Sequence, residues 1–335
     1  MKMDDSIIVK NLTRKFGELV AVNNISFSVH QGELFGFLGP NGAGKTTTIN
    51  ILATLLRPSA GQAFVAGHEV TRSPHEVRRN IGVVFQEIAL DSKLTGQENL
   101  EFHAMMYGLS KQKRRSRIYE VLSLVDLVEK KDMLVENYSG GMKRRLEIAR
   151  GLVHSPRILF LDEPTLGLDA QTRRHIWEYI KRLNGEEKVT IILTTHYMEE
   201  ADNLCHRVAI MDEGKFVALD TPKKLKDLLG GDVVTLELER FHPAVIQKYE
   251  TLPWIKTIKD HNNSLLLTME KAEKRIPGLI RVAETNGNRV TSVSLHKPSL
   301  EDVFLYFTGR HIRDEEANSI ERQRSKFRHH IRGRR

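Results

Sequence analysis

A glycine-rich segment from Gly39 to Thr46 joins an apolar strand-like run to an apolar helix-like run. Its residues fit the pattern G-x-x-x-x-G-K-[ST] in full, in the order Gly39, Pro40, Asn41, Gly42, Ala43, Gly44, Lys45 and Thr46. Such glycines let successive N–H groups point into one concavity that holds phosphate oxygens, and the following helix adds partial positive charge. The segment predicts a nucleotide site in which Lys45 neutralises the β- and γ-phosphates, Thr46 holds Mg²⁺ and Thr47 adds a donor.

An acidic pair, Asp162 and Glu163, directly follows the apolar run Ile158 to Leu161. A buried strand in an open α/β sheet presents its polar end at the carboxyl edge, where ligands bind. Asp162 suits Mg²⁺ as a hard oxygen ligand, and Glu163 is placed to polarise an attacking water. Many buried strands end in two carboxylates, so the pair becomes specific only beside the phosphate loop.

Further segments occur in a fixed order around these two, and the whole set resembles the nucleotide-binding subunits of ABC transporters. Tyr138 to Met142 resembles the signature usually written LSGGQ, and Gln86 at the end of IGVVFQ matches the Q-loop glutamine. The remaining matches are Asp169 for the D-loop, His196 for the switch histidine and Phe16 for the aromatic residue that stacks on adenine. The resemblance covers roughly residues 6–229.

The resemblance implies a role for each of these residues. Ser139, Gly140 and Gly141 would contact the γ-phosphate of an ATP held by a second copy of the chain, with Asp169 beside them. His196 would bind the γ-phosphate and hold the water with Glu163, and Gln86 would contact Mg²⁺ or the water. Structural alternatives remain open, because Ser139 is also a preferred helix N-cap, and His196 and Phe16 could be ordinary packing residues.

Two departures from the signature point to one branch of the family. Tyr138 stands where leucine is usual, and Met142 stands where glutamine is usual, so the amide side chain is missing. The variant YSGGMKRRLEIARGL resembles the daunorubicin and drug-resistance exporter branch. The segment from Lys297 to Leu305, which contains PSLEDVFL, resembles the end of the small C-terminal domain of that branch.

The pattern of strands and helices predicts an α/β fold. Residues 1–229 read as an ABC ATP-binding cassette with a mostly parallel core sheet, an antiparallel β subdomain and a helical insert at about 87–137. Residues 230–309 read as an α+β accessory domain in the ferredoxin-like order βαββαβ. Residues 310–335 carry nine Lys or Arg against four Asp or Glu, and read as a disordered basic tail.

Composition limits the function classes. The net charge of +8 is concentrated in that tail, so a basic face for specific nucleic-acid binding is not indicated. No apolar run approaches the roughly 18 residues that span a bilayer, and the first residues lack a signal region. The single cysteine, Cys205, reads as a small core residue. A cytoplasmic protein is expected, bound peripherally to the inner face of the membrane through a permease.

The leading hypothesis is an ATPase subunit that powers export of a drug-like or lipid-like substrate. Two copies would sandwich two ATP molecules, and a separate polytopic permease would dock on the segment from Gln86 to about Asn137. The alternative is a soluble ABC ATPase acting on ribosomes or nucleic acid. That class usually carries two cassettes or a long coiled-coil insert, and this chain has one phosphate loop.

Overall fold

The computed structural model describes residues 5–239, 242–261 and 264–309. The predicted basic tail, residues 310–335, lies outside the described residues. The chain divides into two compact units whose main boundary lies between Phe216 and Val217.

The strands and helices follow one another along the described chain with these bounds. The strands are β1 Asp5–Phe16, β2 Leu19–His30, β3 Leu34–Leu38, β4 Ala60–Val65, β5 His68–Glu69, β6 Ile81–Val84, β7 Ile158–Asp162, β8 Thr190–Thr195, β9 Arg207–Asp212, β10 Lys215–Asp220, β11 Asp232–Leu238, β12 Ile255–His261, β13 Ser264–Met269 and β14 Val290–His296. The helices are α1 Lys45–Leu52, α2 Pro74–Asn80, α3 Gly96–Met106, α4 Lys111–Leu124, α5 Gly140–Leu152, α6 Ala170–Glu186, α7 Met198–Leu204, α8 Pro222–Asp227, α9 Ala244–Glu250, α10 Ile276–Thr285 and α11 Leu300–Thr308.

A six-stranded sheet has the strand order β10-β9-β3-β8-β7-β6, and the first unit holds all of β9, β3, β8, β7 and β6. Its pairs β9/β3, β3/β8, β8/β7 and β7/β6 are parallel. The strands β3, β7 and β8 are buried along their whole length. Helices cover both faces of such a sheet, which is why its strands are continuous apolar runs. The predicted α/β fold with a mostly parallel core is confirmed.

An antiparallel sheet in the order β2-β1-β4-β5 forms the predicted β subdomain. The strands β1 and β2 are each 12 residues long and pair along their length. Phe27 of β2 stacks on Phe35 of β3 with ring centroids 5.5 Å apart, and it meets Phe37 and Phe216 edge-on. These aromatic contacts join the two sheets of the unit into one core.

The helical insert contains α3 and α4, which contact each other and the helix α5 that follows. Thr95 starts α3 with a capping box, because its hydroxyl accepts from Glu98 N–H and the Glu98 carboxylate accepts from Thr95 N–H. Among the described residues, no helix combines the length and the apolar character that crossing a bilayer requires.

The second unit holds a sheet in the order β12-β13-β11-β14, in which every neighbouring pair is antiparallel. With its elements in the order β11-α9-β12-β13-α10-β14, this is the ferredoxin-like arrangement. A core around Val234, Leu236, Leu267 and Tyr249 packs the sheet against α9 and α10. The PSLEDVFL segment forms α11, capped by Ser299 and Asp302 in a second capping box.

Two short helices, α2 and α8, are absent from the sequence-based interpretation. Each spans fewer than two turns, and α2 buries a single residue, Val77, so no helical periodicity marks it. The helix α8 contacts α11 and belongs to the second compact unit. The main segment of that unit runs from Val217. The division at Gly230 that the sequence analysis gives stays a prediction.

Candidate active site

The carboxyl ends of three adjacent parallel strands bring the predicted chemical groups together. In the register of the sheet, Leu38 of β3 lies opposite Thr195 of β8, and Asp162 of β7 lies opposite Thr194. The phosphate loop follows β3, Glu163 follows β7, and His196 follows β8. Residues far apart in the sequence thus meet at one sheet edge, as expected for an open α/β sheet.

The phosphate loop depends on two glycines with left-handed backbone conformations. Gly42 has φ 87° and Gly44 has φ 104°. A Cβ atom at Gly44 would lie 2.4 Å from the carbonyl oxygen of Ala21, so no other residue fits there. Within the described residues, the N–H groups of Gly42, Gly44, Thr46 and Thr47 donate no backbone hydrogen bond. The loop therefore offers a set of N–H donors at the start of α1, the arrangement that binds phosphate.

Thr46 and Asp162 form the hydroxyl–carboxylate pair that the sequence predicts for Mg²⁺. Thr46 Oγ1 donates to Asp162 Oδ1 over 3.1 Å, and Thr194 Oγ1 donates to the same oxygen over 2.5 Å. The described residues contain no cluster of three or more His, Cys, Asp or Glu side chains suited to a metal. A hard divalent ion at this pair would complete its shell with phosphate and water oxygens, the usual habit of Mg²⁺.

Glu163 is held between two cationic or hydrogen-bonding side chains. Its Oε1 lies 3.4 Å from Lys45 Nζ, and its Oε2 lies 2.8 Å from His196 Nδ1. Burial acts to raise the pKa of Glu163, but the hydrogen bond from His196 and the charge of Lys45 outweigh burial and hold the pKa below 4.5. Glu163 is therefore a carboxylate near neutral pH, and His196 Nδ1 is the donor in their bond.

The backbone of Glu163 is also unusual, with φ 48° in a non-glycine residue. Its N–H donates to the Thr194 carbonyl over 3.2 Å and to Thr194 Oγ1 over 3.0 Å. Thr194 thus holds both the backbone of Glu163 and the carboxylate of Asp162. Thr194 was not predicted as a site residue, because its only sequence signal is that it is a polar residue at the end of the apolar strand β8.

Arg144 is the second residue of the site that the sequence analysis missed. It lies on α5 and is buried, and it donates to the carbonyl oxygens of Asp162 and Glu163 over 3.0 and 3.1 Å. The sequence could have indicated Arg144 by its position, because it lies on the same buried face of α5 as Ile148, four residues later. A charged residue on a buried stripe indicates a specific polar partner.

The signature segment starts α5 next to the residue predicted for the D-loop. Ser139 Oγ accepts from Met142 N–H over 3.2 Å, which confirms that Ser139 caps the helix. Asp169 caps α6 and accepts from the N–H and the hydroxyl of Thr172 over 2.9 and 2.6 Å. A Cβ atom at Gly141 would lie 2.5 Å from Thr172 Cγ2, so the two helix starts are closely packed. Both Ser139 and Gly140 remain exposed.

Two predicted residues are not drawn into this cluster. Gln86 follows β6 and is exposed. Phe16 ends β1 with 43% of its surface exposed, and the guanidinium of Arg14 lies 4.4 Å from its ring centroid. Phe16 is thus an accessible ring on the surface rather than a packed core residue.

Similar solved structures include ABC ATP-binding cassettes. The cassette MJ0796 in a dimeric post-hydrolysis state with ADP and phosphate matches with a TM-score of 0.58 and 30% identity over 64% of this chain and 98% of that chain. The cbiO1 protein of Clostridium perfringens, part of the ABC transporter complex cbiONQ, matches with a TM-score of 0.63 and 29% identity, covering 68% and 93% of the two chains. The fold and the site define an ATP-hydrolysing ABC cassette.

Sequence relatives extend the similarity to nearly the whole chain. The linearmycin resistance ATP-binding protein LnrL of Bacillus subtilis is 39% identical over 91% of this chain and 99% of its own length. The daunorubicin resistance ATP-binding protein DrrA2 of Streptomyces coeruleorubidus is 40% identical, with 91% and 96% covered. A Nod factor export ATP-binding protein I of Burkholderia lata is 39% identical, with 91% and 97% covered.

Family models match both units of the chain. Residues 22–166 match the ABC transporter family, and residues 221–308 match the C-terminal domain of DrrA1-3-like ATP-binding proteins. The chain belongs to the ABC transporter family, in the branch of drug-resistance ATP-binding proteins, and it is an ATPase.

Proposed function

We propose that this chain is the motor subunit of an exporter, which hydrolyses ATP and moves the helices of a separate membrane permease. The observation that carries the proposal is the carboxylate of Glu163, which lies between Lys45 and His196 beside the phosphate loop. A binding module that only sequesters a ligand has no need of an ionised carboxylate held by a lysine and a histidine at a phosphate loop.

Each residue of the cluster has a proposed step. Lys45 and the loop N–H groups bind the β- and γ-phosphates, while Glu163 accepts a proton from the attacking water and His196 orients that water. The hydroxyl of Thr46 and the carboxylate of Asp162 hold Mg²⁺, with Gln86 completing the site. When bound, Mg²⁺ supplies neutralisation of charge on the phosphates. Phe16 offers its exposed ring to adenine.

The second half of each site is proposed to come from another copy of the chain. Ser139 and Gly140 are exposed at the N-terminus of α5, where N–H groups and helix dipole favour an anion. Asp169 lies at the neighbouring start of α6. A head-to-tail pair of cassettes places these helix starts over the γ-phosphate bound by the opposite phosphate loop, and ATP then acts as part of the interface.

The helical insert is the proposed docking surface for the permease. Phe102 and Met106 on α3 and Tyr119 on α4 are exposed by 62%, 70% and 61%, and Ile88 after Gln86 is exposed by 44%. Exposed apolar side chains grouped on one segment mark a contact surface. This surface follows Gln86 directly, so the permease can sense the nucleotide site and hold the chain at the inner face of the membrane.

The cargo is proposed from the relatives. Three proteins similar to this chain are named for resistance to linearmycin, for resistance to daunorubicin and for export of Nod factor. We infer export of a drug-like or lipid-like molecule, with the choice of cargo made by the permease.

The test of the composite ATPase site separates binding from hydrolysis. Lys45→Ala removes charge that the phosphates need in every state, so we expect weak ATP binding and a monomer. Glu163→Gln keeps the shape but removes the base, so ATP binds and the dimer closes with hydrolysis slower by roughly 10²–10⁴-fold. Gel filtration in Mg-ATP, with and without added chelator, measures the dimer, and phosphate release measures turnover.

A third substitution tests whether the signature segment acts across the dimer. Adding Ser139→Arg to Glu163→Gln places a bulky side chain where the opposite γ-phosphate binds, so the trapped dimer should disappear. Ser110→Arg is the matched control, because Ser110 is an exposed serine at the start of α4. Persistence of the ATP-dependent dimer in the protein that carries both Ser139→Arg and Glu163→Gln would rule out the composite site.

A further inference from the structure

The guanidinium of Arg144 makes four hydrogen bonds to backbone carbonyl groups at the site, although the proposed steps of ATP hydrolysis give Arg144 no part. It lies on α5 with 4% of its surface exposed. Its Nε donates to Pro164 O over 2.7 Å, its Nη1 to Phe85 O over 2.5 Å, and its Nη2 to Asp162 O and Glu163 O over 3.0 and 3.1 Å. One guanidinium therefore binds carbonyl groups from two separate segments.

Three of these carbonyl groups are consecutive, which links Arg144 to the backbone conformation of Glu163. Successive carbonyls in an extended strand point in alternating directions, so they cannot converge on one cation. The φ of 48° at Glu163 turns the chain so that the carbonyls of Asp162, Glu163 and Pro164 face the guanidinium. Since Thr194 holds the N–H of Glu163, both peptide groups around its Cα are fixed.

The direction of the Glu163 side chain follows from that backbone. Its carboxylate reaches Lys45 Nζ and His196 Nδ1 from a Cα whose two dihedral angles are held by Arg144 and Thr194. A small rotation at this Cα would move the carboxylate oxygens away from the position of the attacking water.

The fourth bond reaches the segment that carries Gln86. The strands β6 and β7 pair up to Val84 and Leu161, where their ladder ends. Beyond that point the Arg144 guanidinium joins the carbonyl of Phe85 to the carbonyls that follow β7. The guanidinium thus connects Phe85, the residue before Gln86, to the turn at Glu163 beyond the point where the pairing of β6 and β7 ends.

We propose that Arg144 is a positioning residue for hydrolysis, which holds the turn at Glu163 and the start of the Gln86 segment in one fixed arrangement. The proposal rests on the proposed role of Glu163 as the base. Arginine suits the task because its planar fork of five donors reaches several carbonyls at once, whereas lysine donates from a single nitrogen.

The test compares Arg144→Lys with Arg145→Lys in the full chain. Arg145 is the neighbouring residue on α5, and it too binds a carbonyl, that of Val125, and a hydroxyl, that of Tyr179, away from Glu163. We expect Arg144→Lys to lower kcat by about 10²-fold, the order of loss that a misplacement of about 1 Å causes. The Kd for ATP should stay within a factor of a few, and Arg145→Lys should keep near-native kcat.

A double-mutant cycle with Glu163→Gln separates positioning from general structural damage. If Arg144 acts through Glu163, then Arg144→Lys slows the native enzyme but has little further effect on the residual single-turnover rate of Glu163→Gln. An equal fold-loss of rate in both backgrounds would overturn the proposal, because Arg144 would then act without Glu163. A native kcat in Arg144→Lys would overturn it too.

The split between kcat and Kd is a readout that general damage to the fold would not give, because such damage would weaken ATP binding as well as hydrolysis. Arg144→Gln, which donates two hydrogens without burying a charge, is the second variant. If neither variant folds while Arg145→Lys does, a purely structural role replaces the proposal. High activity in Glu163→Gln alone would instead contradict the proposed function.

Discussion

Glu163 combines a strained backbone with a stabilised charge. A left-handed conformation in a non-glycine residue costs on the order of 1–3 kcal/mol. Its N–H donates to Thr194 Oγ1 and its carbonyl accepts from Arg144, and these two bonds, each contributing about 1 kcal/mol in net terms, offset that cost. The strain directs the carboxylate to Lys45 and His196, the arrangement on which its proposed role as the base depends.

The lowered pKa of Glu163 predicts how the stability of the protein depends on pH. Its folded-state pKa lies below the unfolded value of 4.5, so the ionised form contributes stability that is complete above 4.5. As pH falls below 4.5 the unfolded state takes up the proton first, and this stability is lost through the folded-state pKa. The difference in unfolding free energy between the native protein and Glu163→Gln should therefore shrink below about pH 4.5.

Urea denaturation at fixed pH values measures that difference. Glu186→Gln, at an exposed position on α6, is the control and should follow the native protein at every pH. A difference between the native protein and Glu163→Gln that stays constant down to about pH 3 would contradict the lowered pKa.

At the scale of elements, the tyrosine of the signature explains how α5 meets the helical insert. Tyr138 is buried, and its hydroxyl donates to the carbonyl of Lys130 over 2.7 Å. A Cβ atom at Gly96, the first residue of α3, would lie 2.3 Å from that hydroxyl. A tyrosine at this position therefore requires a glycine at the start of α3, and the pair connects the signature segment to the proposed permease surface.

We expect Gly96→Ala to destabilise the protein by about 1–3 kcal/mol, because the methyl group overpacks a buried site. Tyr138→Phe loses one hydrogen bond, worth about 1 kcal/mol, but removes the oxygen that the new methyl group would meet. The double variant should therefore be more stable than the sum of the two single losses predicts. Thermal unfolding of all three proteins measures this coupling.

The control is Gly185→Ala, since a Cβ atom at that helical position of α6 meets nothing within 4 Å. It should leave stability unchanged or raise it by up to about 1 kcal/mol. Strictly additive losses from Gly96→Ala and Tyr138→Phe would show that the hydroxyl and the new methyl group do not compete for space.

At the scale of the whole molecule, α8 determines where the cassette can be separated from the C-terminal unit. The side chains of Leu225 on α8 and Leu229 just after it are each 1% exposed, and α8 contacts α11. A fragment that keeps α8 without α11 lacks a helix that contacts α8, so we expect it to expose apolar surface of α8. Exposing one leucine side chain costs about 1.5–3 kcal/mol of transfer free energy, and exposed apolar surface favours aggregation.

We therefore predict different behaviour for two truncated proteins. A fragment of residues 1–220 should remain soluble and bind ATP with near-native Kd, because the phosphate loop, β7 and β8 lie before its end. A fragment of residues 1–230 should aggregate more and bind more of a hydrophobic dye. Light scattering compares the aggregation of the two fragments, and ATP titration compares their Kd values. Loss of ATP binding by a folded 1–220 fragment would show that the second unit is needed for the site.

Much of this protein follows from its sequence. The phosphate loop is one contiguous stretch whose function depends on local backbone freedom, so Gly39 to Thr46 identify it without tertiary information. The alternating apolar runs predict the parallel sheet, and Asp162 and Glu163 fall at its ligand-binding edge because the end of a buried strand is visible in the sequence. The periodicity of the apolar residues also predicts the βαββαβ order of the second unit.

The partners of buried polar groups could not be predicted in the same way. Arg144 lies on the buried face of α5, but the sequence does not show that it reaches Phe85, nor that Tyr138 reaches Lys130. Those contacts form only when strands and helices pack, because each depends on the position of several elements at once. The short helices α2 and α8 escape prediction for a related reason, since packing rather than their few residues stabilises them.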